Sequence, residues 1–212
     1  MKFPQLKFLG MFAAALFFAG CAGDSTGNTA AGTRNVQADN AVPAVQTETP
    51  TGSAKRELDV PYVPTPEAVV EEMLAMAKVT GDDVLYDLGS GDGRIPITAA
   101  KKFGTRGVGI DLNPVRVKEA DENAREAGVS DKVTFKEGDI FEEDFSEATV
   151  VTLYLLPGVN LKLRPTIQGM KPGTRVVSHN YDMGDWAPEN HKKLTVNGTD
   201  HYVYFWRVPE KK

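Results

Sequence analysis

Cysteine and histidine are scarce in this chain, and their scarcity excludes several kinds of site. The 212 residues include one cysteine, Cys21, and three histidines. A single cysteine cannot form an intramolecular disulfide, and none is left elsewhere to act as a nucleophile or a metal ligand. Because His179, His191 and His201 have no cysteines or acids around them at metal-ligand spacing, the sequence predicts no metal site.

Basic residues are also in the minority. Lysine and arginine number 24 against 29 aspartates and glutamates, which gives a formal net charge of −5. Proteins that bind a nucleic-acid backbone usually carry a basic face. The composition therefore predicts no nucleic-acid partner and mildly favours basic or neutral substrates.

A long apolar run is missing as well. Lys2 and Lys7 precede an apolar segment at residues 8–19. This segment is shorter than the roughly 20 residues that a membrane-spanning helix needs. A short apolar run after basic residues is typical of a secretory signal peptide, which we place at residues 1–21.

The end of this leader resembles a bacterial lipoprotein processing site. Ala19 and Gly20 stand directly before Cys21, although Phe18 occupies a position where such sites usually have Leu. The resemblance implies a lipidated Cys21 and a location in the bacterial cell envelope, anchored on the extracytoplasmic side in the periplasm or at the outer membrane. The alternatives are an ordinary cleaved signal peptide, or an uncleaved leader that holds the domain at the cytoplasmic face. The two lysines of the leader favour export.

Two further segments follow the leader. Residues 22–56 contain no Leu, Ile, Met or aromatic residue. Such a segment buries too little apolar area to offset the entropy of ordering, so we predict a disordered, flexible tether. Residues 57–212 have the length of one domain, and nothing in them indicates a repeat or a second domain.

Residues 57–212 alternate between apolar strands and amphipathic helices. We predict strands at 83–88, 107–111, 132–136, 149–155 and 174–179, and helices at 65–77, 94–103, 115–127 and 161–170. Thr65 is expected to cap the first helix, with Pro66 at its first position. Asn197-Gly198 predicts a tight turn in a terminal hairpin. This order indicates an α/β fold, a Rossmann-like doubly wound sheet with an antiparallel C-terminal hairpin strand.

The turn after the first strand carries the strongest functional signal. Residues 84–94 read VLYDLGSGDGR, in which Gly89, Gly91 and Gly93 alternate after Asp87. Glycine allows a sharp turn and a close approach to a ligand, and the start of the next helix offers free N–H groups to an anion. The dinucleotide fingerprint is spaced G-x-G-x-x-G, and Asp87 would repel a pyrophosphate while attracting a cationic amino group. The pattern therefore favours S-adenosylmethionine over a nicotinamide cofactor.

Two more acids end the next two strands. Asp111 follows the glycine turn by about twenty residues. An acid at this spacing in the sequence can accept hydrogen bonds from both ribose hydroxyls. A helix cap before Asn113-Pro114 is the alternative. Asp139 is predicted to accept the adenine amino group, or else to form a turn after Gly138.

Together these segments resemble a known family. Residues 87–94, 108–114 and 137–139 look like the motifs of class I (seven-β-strand) S-adenosylmethionine-dependent methyltransferases. With PYVPTP at 61–66, they resemble the small lysine methyltransferases of mitochondrial carriers and of the c-ring protein of ATP synthase, together with their bacterial relatives. The resemblance implies S-adenosylmethionine as cofactor and a protein lysine as acceptor. It also implies that Tyr62 and Thr65 contact the cofactor, whereas the residues alone leave Tyr62 equally open to being a surface aromatic beside prolines.

Candidate acceptor-facing residues follow the fourth and fifth strands. Nucleic-acid amino methyltransferases have Asn or Asp, two prolines and an aromatic residue after the fourth strand, but this chain has Tyr154-Leu-Leu-Pro157. Tyr154 is predicted to orient the acceptor amine, or else to pack at the sheet edge. His179 and Asp182 are predicted to take a proton, and a hydrogen-bonded structural role is the alternative for His179.

The expected function is thus methyl transfer from S-adenosylmethionine to a protein lysine. One alternative stays open at this stage. The leader exports the domain to a compartment where the cofactor is not made. An exported, lipid-anchored module that binds a nucleoside or another ligand without methyl transfer would also fit the sequence.

Overall fold

The computed structural model describes residues 62–210. The signal peptide predicted at 1–21 and the tether predicted at 22–56 lie outside the described residues and stay predictions. No helix of this described part is long and apolar enough to cross a membrane. Its elements are α1 (Glu67–Met76), β1 (Val84–Leu88), α2 (Arg94–Phe103), β2 (Arg106–Asp111), α3 (Pro114–Glu126), β3 (Val133–Glu137), β4 (Val150–Leu153), α4 (Pro157–Gln168), β5 (Arg175–His179), β6 (Asn190–Val196) and β7 (Thr199–Arg207).

The seven strands form one sheet in the order β3-β2-β1-β4-β5-β7-β6. Strands β1 to β5 run parallel to one another, whereas β7 is antiparallel to both β5 and β6. The strand order reverses between β1 and β4, which is the point where open parallel sheets bind ligands at the carboxyl ends of their strands. The predicted α/β fold with an antiparallel C-terminal hairpin is confirmed.

Helices cover both faces of the sheet. On one face α1 packs against α2, and α2 packs against α3. Adjacent residues of β1 point to opposite faces: Leu85 belongs to the apolar cluster that contains Leu74 of α1. Tyr86 belongs to the cluster that contains Leu163 of α4. Since both faces are covered, every residue of β4 is buried, as expected of a central parallel strand.

The start of α1 differs from the prediction. The residue that caps the helix is Pro66, and no side chain hydrogen-bonds to the free N–H groups there. The hydroxyl of Thr65 instead lies 3.1 Å from Nδ1 of His179, at the end of β5. The predicted cap was wrong because a distant partner competes for the same hydroxyl.

The segment after β4 also differs. Strand β4 ends at Leu153, so Tyr154 lies in the following loop. Helix α4 begins at Pro157, earlier than the predicted residue 161, and contains Pro165 within it. Proline fits the first turn of a helix because its N–H would have no partner there. The early start brings the first turn of α4 close to the carboxyl ends of β1 and β4.

The terminal hairpin follows the prediction. Asn197 and Gly198 connect β6 to β7 with φ of 51° and 79°. Positive φ at both central residues is the signature of the turn that Asn-Gly favours. The hairpin places β7 between β5 and the edge strand β6.

Candidate active site

The glycine turn between β1 and α2 is held to the neighbouring strand. The N–H groups of Gly89 and Ser90 donate to the carbonyl of Ile110 at 2.8 and 3.0 Å. Gly89 and Gly93 have φ of +80° and +78°, and residues other than glycine rarely adopt such values. A Cβ on Gly89 would also lie 2.7 Å from Cδ2 of Leu155. The turn therefore needs glycine for both its backbone conformation and its packing.

Asp111 connects this turn to the loop after β2. Its Oδ2 accepts from the N–H of Gly91 at 2.8 Å, and its Oδ1 accepts from the N–H of Asn113 at 2.9 Å. Asn113 itself caps α3 by accepting from the N–H of Val115, so the helix-cap alternative does not describe Asp111. Each carboxylate oxygen has a second lone pair, and these remain available to a pair of ribose hydroxyls.

Asp87 is a buried carboxylate at the end of β1. Its Oδ1 accepts from the hydroxyl of Thr152 at 2.7 Å. Among the described residues, no salt bridge includes Asp87. Burial, with a smaller contribution from the carboxylates of Asp111 and Asp92, raises the pKa of Asp87 to about 7. A bound ammonium group would favour the ionised form, so the site suits a cationic amino group.

The segment 62–66, here called the strap, lies against the glycine turn. Nη1 of Arg94 donates to the carbonyl of Thr65 at 2.8 Å, and the same guanidinium forms a two-point ion pair with Asp92. The guanidinium of Arg116 stacks on the ring of Tyr62, 4.1 Å from its centroid. The strap is thus fastened to α2 and α3.

Asp139 follows β3 and forms a turn. Its Oδ1 accepts from the N–H of Phe141 at 2.9 Å, and its carbonyl accepts from the N–H groups of Glu142 and Glu143. The next residue, Ile140, lines the same cleft as Asp139. An apolar side chain beside a carboxylate suits a base with an amino group. The predicted turn and the predicted ligand role are therefore compatible.

These elements enclose a cleft at the carboxyl edge of the sheet with an empty volume of about 960 Å³, including space open to solvent. Eight predicted site residues line it: Tyr62, Thr65, Asp87, Gly89, Gly91, Asp111, Asp139 and Tyr154. Gly93 does not line the cleft; its Cα faces the core, where a Cβ would lie 2.5 Å from the ring of Phe135. Sequence reasoning gave no role to Arg94, Arg116 or Val159, which also line the cleft.

The three predicted acceptor-side residues do not converge on one point. Tyr154 is half-buried in the cleft wall. His179 is fully buried behind it, with ring centroids 3.8 Å apart. Asp182 is exposed and accepts from the N–H of Gly184 at 3.0 Å. Neither His179 nor Asp182 lines the cleft, and their proposed proton-accepting roles stay predictions.

His179 is held through both ring nitrogens. Nδ1 lies 3.1 Å from the hydroxyl of Thr65, and Nε2 lies 2.9 Å from Nδ1 of His201. Burial, and then the neighbouring His201, lowers the pKa of His179 to about 3. A protonated His179 is therefore strongly disfavoured at neutral pH, and the arrangement suits a positioning role.

The cleft matches the parts of S-adenosylmethionine. Asp87, predicted to meet the cationic amino group, Asp111, predicted to hold the ribose, and Asp139, predicted to bind the adenine, line one cleft with the glycine turn. In residues 62–210, no group of three or more His, Cys, Asp or Glu side chains is placed to hold a metal ion.

Comparison with known proteins places the chain among methyltransferases. The profile of the ANTKMT methyltransferase domain matches residues 87–190. The chain is 48% identical over 155 residues to a protein-lysine N-methyltransferase of Saccharolobus islandicus (strain REY15A), covering 72% of this chain and 96% of that protein. It is 35% identical over 133 residues to the adenine nucleotide translocase lysine N-methyltransferase of Mus musculus, covering 62% of this chain and 57% of that protein. This chain therefore spans less than two thirds of the mouse relative.

A solved structure is similar over the same region. It is described as an RNA methyltransferase from Salinibacter ruber in complex with S-adenosyl-L-homocysteine. The identity is 58%, the TM-score is 0.66, and the match covers 71% of this chain and 96% of that chain. The bound molecule is the product that S-adenosylmethionine leaves after giving up its methyl group.

The three relatives are all named as methyltransferases, so they give no support to a binding module without methyl transfer. They confirm the predicted cofactor and the predicted resemblance to lysine methyltransferases of the seven-β-strand class. The cleft holds the glycine turn and the carboxylates that are predicted to bind this cofactor. The chain belongs to the ANTKMT methyltransferase domain family and is an S-adenosylmethionine-dependent methyltransferase.

Proposed function

We propose that this enzyme methylates the side-chain amine of lysine in a protein. The observation that carries the proposal is the 48% identity to an archaeal protein-lysine N-methyltransferase, over 96% of that protein's length. The mouse relative is also named for a lysine acceptor, in the adenine nucleotide translocase.

The charges at the cleft support a cationic acceptor. Arg94 and Arg116 are the basic residues among those that line it. Arg94 is paired with Asp92, and Arg116 is paired with Glu119 and stacked on Tyr62. A nucleic-acid phosphate would find no unengaged cation among the described residues of this rim, whereas a lysine side chain would meet carboxylates and aromatic rings.

Methyl transfer from the sulfonium of S-adenosylmethionine to an amine is an in-line displacement, in which the new N–C bond forms as the C–S bond breaks. The chain's contribution is therefore mainly alignment, which supplies about 7 to 11 kcal/mol in favourable intramolecular cases. Asp87 and Asp111 fix the donor end, and Tyr154 stands where the acceptor amine enters. Lysine is protonated at neutral pH, so the amine must give up a proton to solvent or a nearby group before it attacks.

Methylation of RNA is the second candidate, because the Salinibacter ruber protein is described as an RNA methyltransferase. Two features of this chain weigh against it. The net charge is −5, and Tyr154-Leu-Leu-Pro157 replaces the motif of nucleic-acid amino methyltransferases. The choice between the two acceptors needs a direct experiment.

The purified full chain would be incubated with radiolabelled S-adenosylmethionine, and envelope protein and total RNA would be supplied in separate reactions. Hydrolysis of the products distinguishes methyl-lysine from methylated nucleosides. We expect label in methyl-lysine only, and loss of that label in Asp111→Ala. Label in nucleosides without methyl-lysine would replace the proposal with the second candidate.

We also propose the envelope location predicted from residues 1–21. The pattern of the leader supports it, with Cys21 as the lipidated residue. Labelling of cells with radioactive palmitate tests it, using Cys21→Ala as the control. Label in the wild type that disappears in the variant supports a lipid anchor; unlabelled full-length protein contradicts it.

A further inference from the structure

Two pairs of tyrosine rings lie at the carboxyl edge of the sheet, and one of them begins in the cleft wall. The ring of Tyr154, in the cleft wall, lies 6.4 Å from the ring of Tyr181, with the planes 20° apart. On β7, the rings of Tyr202 and Tyr204 lie 6.4 Å apart with planes at 19°. Burial, and then the charge of Asp182, raises the pKa of the Tyr204 hydroxyl. We call these five residues the edge strip.

The backbone beneath the edge strip is held from two sides. Asn160 of α4 is fully buried and donates through Nδ2 to the carbonyl of Tyr181 at 3.2 Å. Asn180 has a φ of 63° and exchanges two hydrogen bonds with Tyr202, at 2.6 and 2.9 Å. The loop after β5 is therefore tied to both α4 and β7, which presents its side chains in a fixed arrangement.

The edge strip has a negative and aromatic character. Tyr202 and Asp182 are exposed, and in residues 62–210 no salt bridge includes Asp182. The neighbouring basic residues are already paired, Arg164 with Asp185 and Lys193 with Asp200. Aromatic faces attract cations and cover aliphatic chains. A lysine-bearing polypeptide fits this surface, whereas a phosphate backbone would face a carboxylate that no cation neutralises.

We propose that the edge strip is the binding site for the acceptor polypeptide, whose lysine enters the cleft past Tyr154 while its flanking residues lie on Tyr181, Asp182 and Tyr202. The proposal rests on the proposed function, because it assumes a protein acceptor. It assigns Tyr181 and Asp182 to acceptor binding without contact to the reacting atoms. For Asp182 this role replaces the predicted proton-accepting one, because Asp182 is exposed and does not line the cleft. Positively charged residues beside the target lysine would then strengthen binding through Asp182.

Two synthetic peptides test this on the full chain. One carries a single lysine among neutral residues, and the other carries the same lysine flanked by arginines. The variants are Tyr181→Ala and Asp182→Asn. Asp144→Asn is the matched control, because Asp144 is exposed and accepts from the N–H of Ser146 in the same way that Asp182 accepts from Gly184, but it lies outside both the cleft and the edge strip.

We expect Asp182→Asn to raise the KM for the arginine-flanked peptide by roughly threefold, the size of an exposed ion pair. The change should be smaller for the neutral peptide and should shrink at high salt. Tyr181→Ala should raise the KM for both peptides about threefold to fivefold. The charged or aliphatic side chains that flank the target lysine would lose the face of one aromatic ring. The kcat, the affinity for S-adenosylhomocysteine and the behaviour of Asp144→Asn should not change.

The two ways of failing are distinguishable. If the wild type methylates the peptides and both variants keep its KM, the edge strip does not bind the acceptor, while the proposed function stands. If the wild type methylates total RNA and neither peptide, the proposed function fails and the edge-strip proposal fails with it. Retained affinity for S-adenosylhomocysteine shows that each variant is folded.

Discussion

The ring of His179 lies against the ring of Tyr154, with centroids 3.8 Å apart and planes tilted by 34°. The imidazole is fully buried and hydrogen-bonded to Thr65 on one side and His201 on the other. One residue thus joins the strap, the cleft wall and the hairpin. Because the imidazole is buried in the fold and exposed in the unfolded chain, folding changes its pKa.

Replacing His179 should change how stability depends on pH. Its pKa is lowered to about 3 in the fold from 6.5, so between these values the unfolded chain binds more protons. The contribution of His179 to the free energy of unfolding is therefore fully present above pH 6.5. As the pH falls this contribution decreases, by at most about 1.4 kcal/mol per pH unit. Urea unfolding measures this. Between about pH 4 and pH 7 the free energy of unfolding should depend less on pH in His179→Gln than in the wild type. An equal pH dependence of the unfolding free energy in the two proteins would contradict the lowered pKa of His179.

Cofactor affinity should depend on pH through Asp87. With its pKa raised to about 7, the carboxyl is neutral in acid and becomes a partner for a cationic amino group only as the pH rises through 7. Calorimetry should find S-adenosylhomocysteine bound more tightly at pH 8 than at pH 6. Asp87→Asn should remove this pH dependence and weaken binding by about 1.5 to 3 kcal/mol, the range for a hydrogen bond to a charged group. A pH dependence that persists in Asp87→Asn would assign it to another group.

Alanine at Gly91 should be more harmful than its backbone conformation alone predicts. Gly91 has φ of +54°, and a Cβ there would overlap the ring of Tyr62. Gly128→Ala is the matched control, because Gly128 has φ of +70° and open space around it. Each substitution should lower the free energy of unfolding by about 1 to 2 kcal/mol because alanine disfavours the left-handed conformation. Gly91→Ala should lower it further because of the overlap with Tyr62.

The surplus in Gly91→Ala should disappear when Tyr62 is replaced by Ala. Denaturant unfolding of the wild type, Gly91→Ala, Tyr62→Ala and the double variant measures this surplus loss of stability. A surplus that remains in the double variant would place the clash elsewhere. Both Gly91→Ala and Tyr62→Ala should also weaken the binding of S-adenosylhomocysteine, because the strap no longer rests on the turn.

The hydroxyl of Tyr154 can be separated from its ring. Tyr154→Phe keeps the ring against His179 and removes only the hydroxyl, so stability should change by no more than about 1.5 kcal/mol. If the hydroxyl orients the acceptor amine, kcat should fall roughly tenfold, corresponding to about 1.4 kcal/mol, with the KM for S-adenosylmethionine unchanged. An unaltered kcat would leave Tyr154 as a packing residue of the cleft wall.

Much of the donor site could be predicted from the sequence because its signals are local. Asp87, Gly89 and Gly91 lie within five consecutive residues, and Asp111 ends the next strand. Parallel strands bring such positions to one edge of the sheet without further information. The strand-to-helix alternation and the Asn-Gly turn are equally local.

Contacts between distant residues could not be predicted in this way. Thr65 and His179 are 114 positions apart, and their hydrogen bond depends on the packing of α1 against the sheet. Likewise, nothing local to Arg116 indicates that it stacks on Tyr62. The same limitation applies to the edge strip, whose members come from three separate segments and meet only when β7 pairs with β5.

The central claim is methyl transfer to lysine, and the most direct measurement uses S-adenosylmethionine with a deuterated methyl group. The full chain would be incubated with the arginine-flanked peptide and a control peptide in which arginine replaces the target lysine. Tandem mass spectrometry should locate each labelled methyl group on the lysine side chain, with no label in the control peptide or with Asp111→Ala. An unlabelled peptide, beside labelled nucleosides in a parallel reaction with total RNA, would contradict the account.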